Sequence, residues 1–194
     1  MDSHEIMQFL AGKRSYRRFA QKAVPPEVTA NIVEAGRTAS CGANRQTLKY
    51  VVVQSPEAVA SVNGLVHWAA YLPADAGTPR PEERPPLFVA VLQDDALPGA
   101  SDTDAGIAMA AMTDAAWGAG VGSCIMGAID RPALMALFGL GAPLRLHSMV
   151  AFGYPTHESR IVPMQGGSVK YYLDENRDYC VPKRPTGEVL LKTL

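Results

Sequence analysis

The stretch "AGIAMAAMTDAAWGAGVGSCIMGAI", residues 105–129, is the longest apolar stretch of the chain and decides what kind of fold it can form. Its length suits a membrane span, but Ala and Gly contribute little to insertion, and a central charge such as Asp114 opposes insertion by about 3 kcal/mol. We therefore predict a buried helix over residues 102–118. Ser101 is placed to cap this helix, and Asp102 and Asp104 match the dipole of its first turn.

The composition predicts one ordinary globular domain covering residues 1–194, since 47% of the residues are hydrophobic and 19% are charged. Lys and Arg total 18 against 19 for Asp and Glu, so no global field would attract nucleic acid or an anionic membrane. The cysteines lack metal-ligand spacing, and the N-terminus lacks a basic segment followed by an apolar run. We expect a cytoplasmic protein with reduced thiols and without a nucleic-acid or membrane partner.

Alternating helix and strand signals surround the long apolar stretch. Helical spacing or helix-start residues are found in four segments: 3–12, with Ser3 as the N-cap, 26–38, 56–70 and 132–140. Apolar runs typical of buried strands are found in three segments: 49–54, 86–94 and 146–155. No Gly-rich dinucleotide fingerprint follows any of these strands, because "GAGVGS" (118–123) follows a helix.

Two irregular regions complete the pattern. Residues 72–86 are rich in Pro, Gly and charge, which predicts a surface loop. As the largest irregular insertion, this loop is expected to border a substrate pocket. Near the end of the chain, residues 168–174 and 178–185 flank a tight turn and suggest a hairpin or an extended arm.

The stretch "GKRSYRRFAQKAVP", residues 12–25, concentrates the cations Lys13, Arg14, Arg17 and Arg18 around Ser15. From the residues alone, this run could be a solvated basic loop, a nucleic-acid contact or a site for one compact anion. Gly12 allows a sharp turn, and a hydroxyl among cations suits a phosphate. A second basic pair, at residues 183 and 184, could hold the same phosphate if the fold brings the two ends of the chain together.

A third stretch, "TASCGANRQTLKYVVV" (residues 38–53), joins a helix to a strand. Asn44 and Gln46 alternate, so in an extended segment both amides would face one side and could meet the polar edge of a planar ring. An ordinary Asn-containing turn is the alternative. Cys41 is better interpreted as a packed thiol than as a nucleophile, since no recognised local motif links a His to it.

Four segments in order resemble the flavin-dependent nitroreductase family. They are "KRSYRRF" (13–19), "ASCGANRQTLKYVVV" (39–53), "GAGVGSCIMGA" (118–128) and "VPKRPTGEVL" (181–190). The resemblance covers nearly the whole chain. It implies an α+β fold in which helices flank a central, mainly antiparallel sheet, and an intertwined homodimer that binds FMN at the subunit interface.

The resemblance also implies roles for individual residues. The FMN phosphate and ribityl chain would be bound by Lys13, Arg14, Ser15 and Arg17, with Lys183 and Arg184 as additional phosphate ligands. A loop reaching FMN from the partner subunit would contain Ser40, Cys41, Gly42, Asn44 and Gln46. Main-chain N–H groups near the flavin N5 would belong to Met126 and Gly127. This chain departs from the family pattern where Ser40 replaces Pro, Cys41 replaces Ser, and Thr47-Leu48 replaces Pro-Trp.

The function implied is that of an FMN-dependent oxidoreductase. It would take hydride from NADH or NADPH and reduce a small electrophile such as a nitroaromatic or a quinone, with no catalytic side chain because the flavin carries the chemistry. Two alternatives stay open: a flavin-binding storage or sensor protein with little turnover, and a flavin enzyme of the same fold with another reaction, such as enone reduction or reductive dehalogenation.

Overall fold

A computed structural model describes residues 2–194 and has a four-stranded sheet at its centre; residue 1 of the predicted domain lies outside this range. The strands are β1 (Leu48–Val53), β2 (Leu87–Asp94), β3 (Gly122–Met126) and β4 (Leu144–Gly153), in the order β1-β2-β4-β3. All three pairings are antiparallel. The predicted α+β fold and strands 49–54, 86–94 and 146–155 are confirmed, with small shifts at their ends, whereas β3 was missed because its neighbourhood is rich in glycine.

The helices of the described chain are α1 (Ser3–Gly12), α2 (Pro26–Thr38), α3 (Pro56–Asn63), α4 (Ala74–Gly77), α5 (Asp102–Gly118), α6 (Arg131–Leu137) and α7 (Thr186–Val189). The prediction for 102–118 is confirmed. The predicted helix 56–70 is too long, because α3 ends at Asn63, and the predicted helix 132–140 ends at Leu137. Asp2, rather than Ser3, caps α1: the Asp2 carboxylate accepts from the N–H of Glu5 at 2.8 Å.

The core lies on both faces of the sheet because β2 is buried along nearly its whole length. Alternate residues of a strand point to opposite faces. Phe88, Ala90 and Leu92 pack in the cluster that includes residues of α3 and α6, while Val89 and Val91 pack in the cluster that includes residues of α2 and α5. The continuous apolar run at 87–92 is therefore what a strand covered on both faces requires.

The apolar part of the buried side of α5 consists of small and flexible side chains: Ala105, Ala108, Met109, Met112 and Ala116. Asp104 and Thr113 are also buried on this helix. Its other side exposes Gly106, Ile107 and Ala110, so the helix is apolar around most of its circumference. Within residues 2–194, no helix combines the length and apolar character needed to cross a membrane. The predicted helix is therefore buried along one side only.

A second, smaller sheet contains β5 (Ser159–Pro163), β6 (Tyr172–Leu173) and β7 (Tyr179–Lys183), in the order β5-β7-β6. The antiparallel pair β6 and β7 confirms the predicted hairpin. The parallel strand β5 was not predicted, because its partner β7 lies about twenty residues further along the chain.

The segment 72–86, predicted to be a surface loop, is attached to the rest of the protein by hydrogen bonds of Glu83. The N–H of Phe19 donates to the Glu83 carbonyl at 2.8 Å, and the Glu83 carboxylate accepts from Arg177 at 3.0 Å. The segment contains α4 and a short 3₁₀ turn at Pro81–Glu83. These contacts join it to the cationic run and to the β6–β7 turn, while its role at a substrate pocket stays a prediction.

His157 is buried between the rings of Tyr16 and Tyr179, with centroid distances of 5.4 and 5.1 Å. Burial, reinforced by the charge of Arg18, lowers the pKa of His157 from 6.5 to about 4. The imidazole is therefore neutral in the folded protein at neutral pH and acts as a packing ring.

This burial predicts a loss of stability in mild acid. Between pH 6.5 and about 4, His157 is protonated in the unfolded chain but stays neutral in the folded protein. The free energy of unfolding therefore falls as the pH falls, by up to ~3 kcal/mol. His157→Phe should flatten this part of the stability profile, measured by urea unfolding from pH 4 to 7. His4→Gln, at an exposed position, is the control and should leave the profile unchanged. An unaltered profile in His157→Phe would contradict the assignment.

Candidate functional site

A cavity of about 220 Å³, here called the basic cavity, lies between the cationic run, α5 and β3. Its lining residues are Lys13, Arg14, Ser15, Gly106, Ala110, Thr113, Ser123 and Ile125. Three of these belong to the set predicted from the sequence, and the other five were missed. Ser123 and Ile125 would have been found had 122–126 been identified as a strand, because both lie on β3.

The cationic run forms one wall of this cavity because it is fixed to β3. The N–H of Tyr16 donates to the Ser123 carbonyl at 2.8 Å, and Ser15 pairs with Ser123 as an isolated parallel bridge. The Tyr16 hydroxyl donates to the Gly12 carbonyl at 3.0 Å, and its ring stacks on Trp117 at a centroid distance of 5.3 Å. This buried tyrosine anchors the segment next to the cavity.

The basic cavity is lined by a residue with a buried, unpaired hydrogen-bond donor. The Nε of Arg14 is buried and has no hydrogen-bond partner in the described part of the chain. Lys13 Nζ lies 2.5 Å from Asp114 Oδ1, and the Ser15 side chain is exposed. Buried N–H groups are rarely left unpaired, and a guanidinium prefers a carboxylate or a phosphate. The residues present therefore fit a bound phosphate ester.

The other predicted phosphate ligands lie outside the basic cavity. The Arg17 guanidinium lies over the rings of Tyr171 and Tyr179, 4.7 and 4.8 Å from their centroids. Lys183 is exposed at the end of β7, and Arg184 donates to Glu188 at 2.8 Å. The fourth cation of the run, Arg18, is buried and donates to the carbonyl of residue 177 at 2.6 Å.

A second cavity, here called the loop pocket, has a volume of about 180 Å³. It is lined by Gly36, Arg37, Ala39, Ser40, Cys41, Gln46, Thr47, Leu48, Lys49, Tyr50, Asp104 and Ala108. The N–H of Gly42 donates to Asp104 Oδ1 at 2.9 Å, which attaches the loop to the first turn of α5. The pocket thus contains Ser40, Cys41 and Gln46 from the predicted partner-facing loop.

The backbone of this loop differs from the extended segment that the alternation of Asn44 and Gln46 predicted. Gly42–Asn44 form a 3₁₀ turn, so that prediction is wrong. Ala43, Asn44 and Gln46 have φ values of 50°, 53° and 52°, in the left-handed region. Asn tolerates this region better than most residues because its side chain can bond locally. Both amide side chains are nevertheless exposed.

The predicted N5-facing residues lie at the end of β3. Met126 is its last residue and is buried in the core, and Gly127 follows at an exposed position. A Cβ atom at Gly127 would meet nothing within 4 Å, so its main chain is open to approach. The two cavities touch α5 at different residues: the basic cavity at 106, 110 and 113, and the loop pocket at 104 and 108.

Comparison with known proteins identifies relatives of the chain. The family model described as "Nitroreductase family" matches residues 10–154. A curated sequence, iodotyrosine deiodinase from Haliscomenobacter hydrossis, is 40% identical over 60 residues, which is 31% of this chain and 27% of that protein. The match therefore spans about a quarter of the curated relative's length.

Solved structures have the same fold at low sequence identity. A nitroreductase family protein from Clostridium difficile 630 superposes with a TM-score of 0.69 at 17% identity, covering 96% of this chain and 98% of that one. A nitroreductase-like protein from Desulfovibrio desulfuricans, crystallised in complex with FMN, superposes with a TM-score of 0.68 at 22% identity, covering 97% and 96%.

Proposed function

Because this chain belongs to the nitroreductase family, we propose that it binds FMN and uses NADH or NADPH to reduce a small electrophile such as a nitroaromatic or a quinone. The observation that carries this proposal is the unpaired, buried Arg14 Nε in a cavity that also contains Lys13 and Ser15. The FMN-bound relative of the same fold supports the choice of cofactor.

In this proposal the chain binds and orients the cofactor. Arg14 and Ser15 donate hydrogen bonds to its phosphate, and Lys13 supplies a second positive charge beside its ion pair with Asp114. Arg17, Lys183 and Arg184 stay proposed ligands whose side chains would have to turn toward the phosphate. The main chain at Met126 and Gly127 is proposed to donate to the ring system. FMN, when bound, supplies hydride and electron transfer, so no catalytic side chain is required.

We further propose that the protein is a homodimer whose interface includes the exposed side of α5. Gly106, Ile107 and Ala110 expose an apolar surface there, and a helix that is apolar all round is normally buried. Strand β1 is an edge strand of the central sheet, and Leu191 and Leu194 near the C-terminus are almost fully exposed. A two-fold dimer would complete the FMN site with Ser40, Cys41, Gly42, Asn44 and Gln46 of a second copy.

A second reaction has support from one observation. The relative that is 40% identical over 60 residues is an iodotyrosine deiodinase, which favours reductive dehalogenation as the alternative. Two assays with the same reduced protein distinguish the reactions: loss of a nitroarene chromophore, and release of iodide from an iodophenol.

The enzyme proposal predicts a yellow protein whose flavin absorbance bleaches on addition of NADPH or NADH without oxygen and returns on addition of a nitroarene or a quinone. The readout is anaerobic stopped-flow absorbance. A flavin that binds but does not bleach with either nicotinamide would support a storage or sensor protein instead. Purified protein that neither contains nor binds FMN would contradict the whole proposal.

Charge reversal at Arg14 should remove FMN. Losing one charge-assisted bond costs about 1.5–3 kcal/mol, so Arg14→Glu should weaken FMN binding by at least about tenfold, measured by quenching of flavin fluorescence. Lys170→Glu makes the same charge change at an exposed position outside the basic cavity and is the matched control. Equal FMN affinity in the Arg14→Glu and control proteins would show that the phosphate binds elsewhere.

The dimer proposal predicts that Ile107→Glu, on the exposed side of α5, yields a monomer with weakened FMN binding, because a buried, unpaired carboxylate opposes association. Size-exclusion chromatography with light scattering measures the mass. Leu137→Glu, equally exposed at the end of α6, is the control and should remain dimeric. A wild-type monomer that retains FMN would contradict the proposal.

A further inference from the structure

The 65–71 segment, between α3 and α4, is paired with the main chain that follows β3. The N–H of His67 donates to the carbonyl of Ala128 at 2.9 Å. Ala128 follows Gly127, whose main chain is open to approach because a Cβ atom there would meet nothing within 4 Å. The 65–71 segment therefore borders the main chain that is proposed to donate to the flavin ring.

The alternation of side chains places His67 on the outer face of this pairing. Val66 and Ile129 form an antiparallel bridge, and both side chains are buried in the same core cluster. Successive side chains of paired segments point to opposite faces, so His67 and Ala128 lie on the other face, where both are exposed. Ile125, which lines the basic cavity, is exposed in the same sense, because its two neighbours on β3 are buried in that cluster. His67 thus lies on the side of β3 where the basic cavity opens.

Tyr71 connects the other end of the segment to the cationic run. Its N–H donates to the hydroxyl of Tyr171 at 3.4 Å, and the centroids of the two rings are 5.1 Å apart. The Arg17 guanidinium lies over the same Tyr171 ring, 4.7 Å from its centroid. Contacts therefore link Arg17, Tyr171, Tyr71, His67 and Ala128, here called the rim, from the cationic run to the end of β3.

Two exposed side chains of the rim have hydrogen-bond donors without a partner. The His67 imidazole and the Tyr71 hydroxyl form no hydrogen bond or ion pair within residues 2–194, and Tyr71 is 51% exposed. Arg17 adds a positive charge, and the rim contains no carboxylate. Asp130, close to the pairing, is used as the cap of α6, where its Oδ1 accepts from the N–H of Ala133 at 3.1 Å. Donors beside a positive charge favour an anionic acceptor.

We propose that His67 and Tyr71 determine the substrate by binding a carboxylate group carried by an aromatic electrophile. This inference rests on the proposed function and names its substrate class, a nitroaromatic or quinone with a carboxylate substituent. The carboxylate accepts from the His67 imidazole and the Tyr71 hydroxyl, and the ring to be reduced lies toward the main chain at Gly127. Hydrogen bonds to a charged acceptor are about twice as strong as neutral ones, so an uncharged substituent is bound more weakly. Both residues position the substrate, while the electrons come from the flavin.

The test measures ligand binding to the purified protein with its FMN bound and oxidised, so that no turnover occurs. The probes are para-nitrobenzoate and nitrobenzene, which differ only in the carboxylate. Each is titrated separately, and the change in flavin absorbance gives its dissociation constant. The wild-type protein should bind para-nitrobenzoate at least about tenfold more tightly than nitrobenzene.

Two substitutions on the rim should reduce this preference. Tyr71→Phe keeps the ring beside Tyr171 and removes only the hydroxyl, so para-nitrobenzoate should bind about tenfold more weakly and nitrobenzene as before. His67→Leu should have the same effect. In turnover assays both changes should raise KM for para-nitrobenzoate with little change in kcat, because they remove binding rather than electron transfer.

Matched control variants exist for both positions. Tyr172→Phe removes a hydroxyl from a tyrosine that is 50% exposed on β6, outside the rim, and His4→Leu removes an exposed imidazole on α1. Both control proteins should keep the wild-type preference for para-nitrobenzoate.

Three results would overturn the inference and leave the FMN reductase intact. They are equal affinity of the wild-type protein for the two probes, an unchanged preference in both rim variants, and an equal loss of affinity for both probes in the rim variants. Protein that contains no FMN would overturn the proposed function together with this inference. The flavin absorbance measured before the titration therefore distinguishes the two failures.

Discussion

The packing of α5 across the central sheet is the interaction on which the rest of the structure depends. Ala105, Met109 and Met112 bury one side of the helix against the cluster that includes residues of β2, β4 and α2. Small side chains allow the close approach that this crossing needs. Because both cavities have walls on α5, the position of this helix sets where the cationic run and the 39–47 loop can meet a ligand.

The cationic run is held in place as a wall of the basic cavity by the contacts of Tyr16 rather than by its charged side chains. Tyr16 is buried against Trp117 and His157 and is bonded through its main chain to Ser123. Because Tyr16 is fixed in this way, the residues before it and the residue after it lie in different surroundings. Arg14 and Ser15 lie at the cavity, while Arg17 lies over Tyr171 and Tyr179 and stabilises the smaller sheet by cation–π contacts.

A chain with a net charge close to zero can still contain strongly charged sites, because individual charged side chains form local ion pairs and hydrogen bonds. Arg18 and Arg177 converge on Glu83 and join three distant segments. Asp104 accepts from the N–H of Gly42 and so attaches the 39–47 loop to the first turn of α5. The total charge of −1 therefore argues only against a diffuse anionic partner, not against a compact basic site such as the basic cavity.

The sequence alone determined the elements whose signals are local. The apolar runs at 86–94 and 102–118 predicted β2 and α5, and the order of four motifs predicted the family and a candidate phosphate site at Lys13, Arg14 and Ser15. Only the tertiary structure decided that 122–126 is a strand, that Arg17 packs on tyrosines, and that Thr47, Tyr50 and Asp104 share one pocket. The physical reason is that glycine-rich strands, cation–π partners and pocket walls depend on contacts between residues far apart in the chain, which no local pattern encodes.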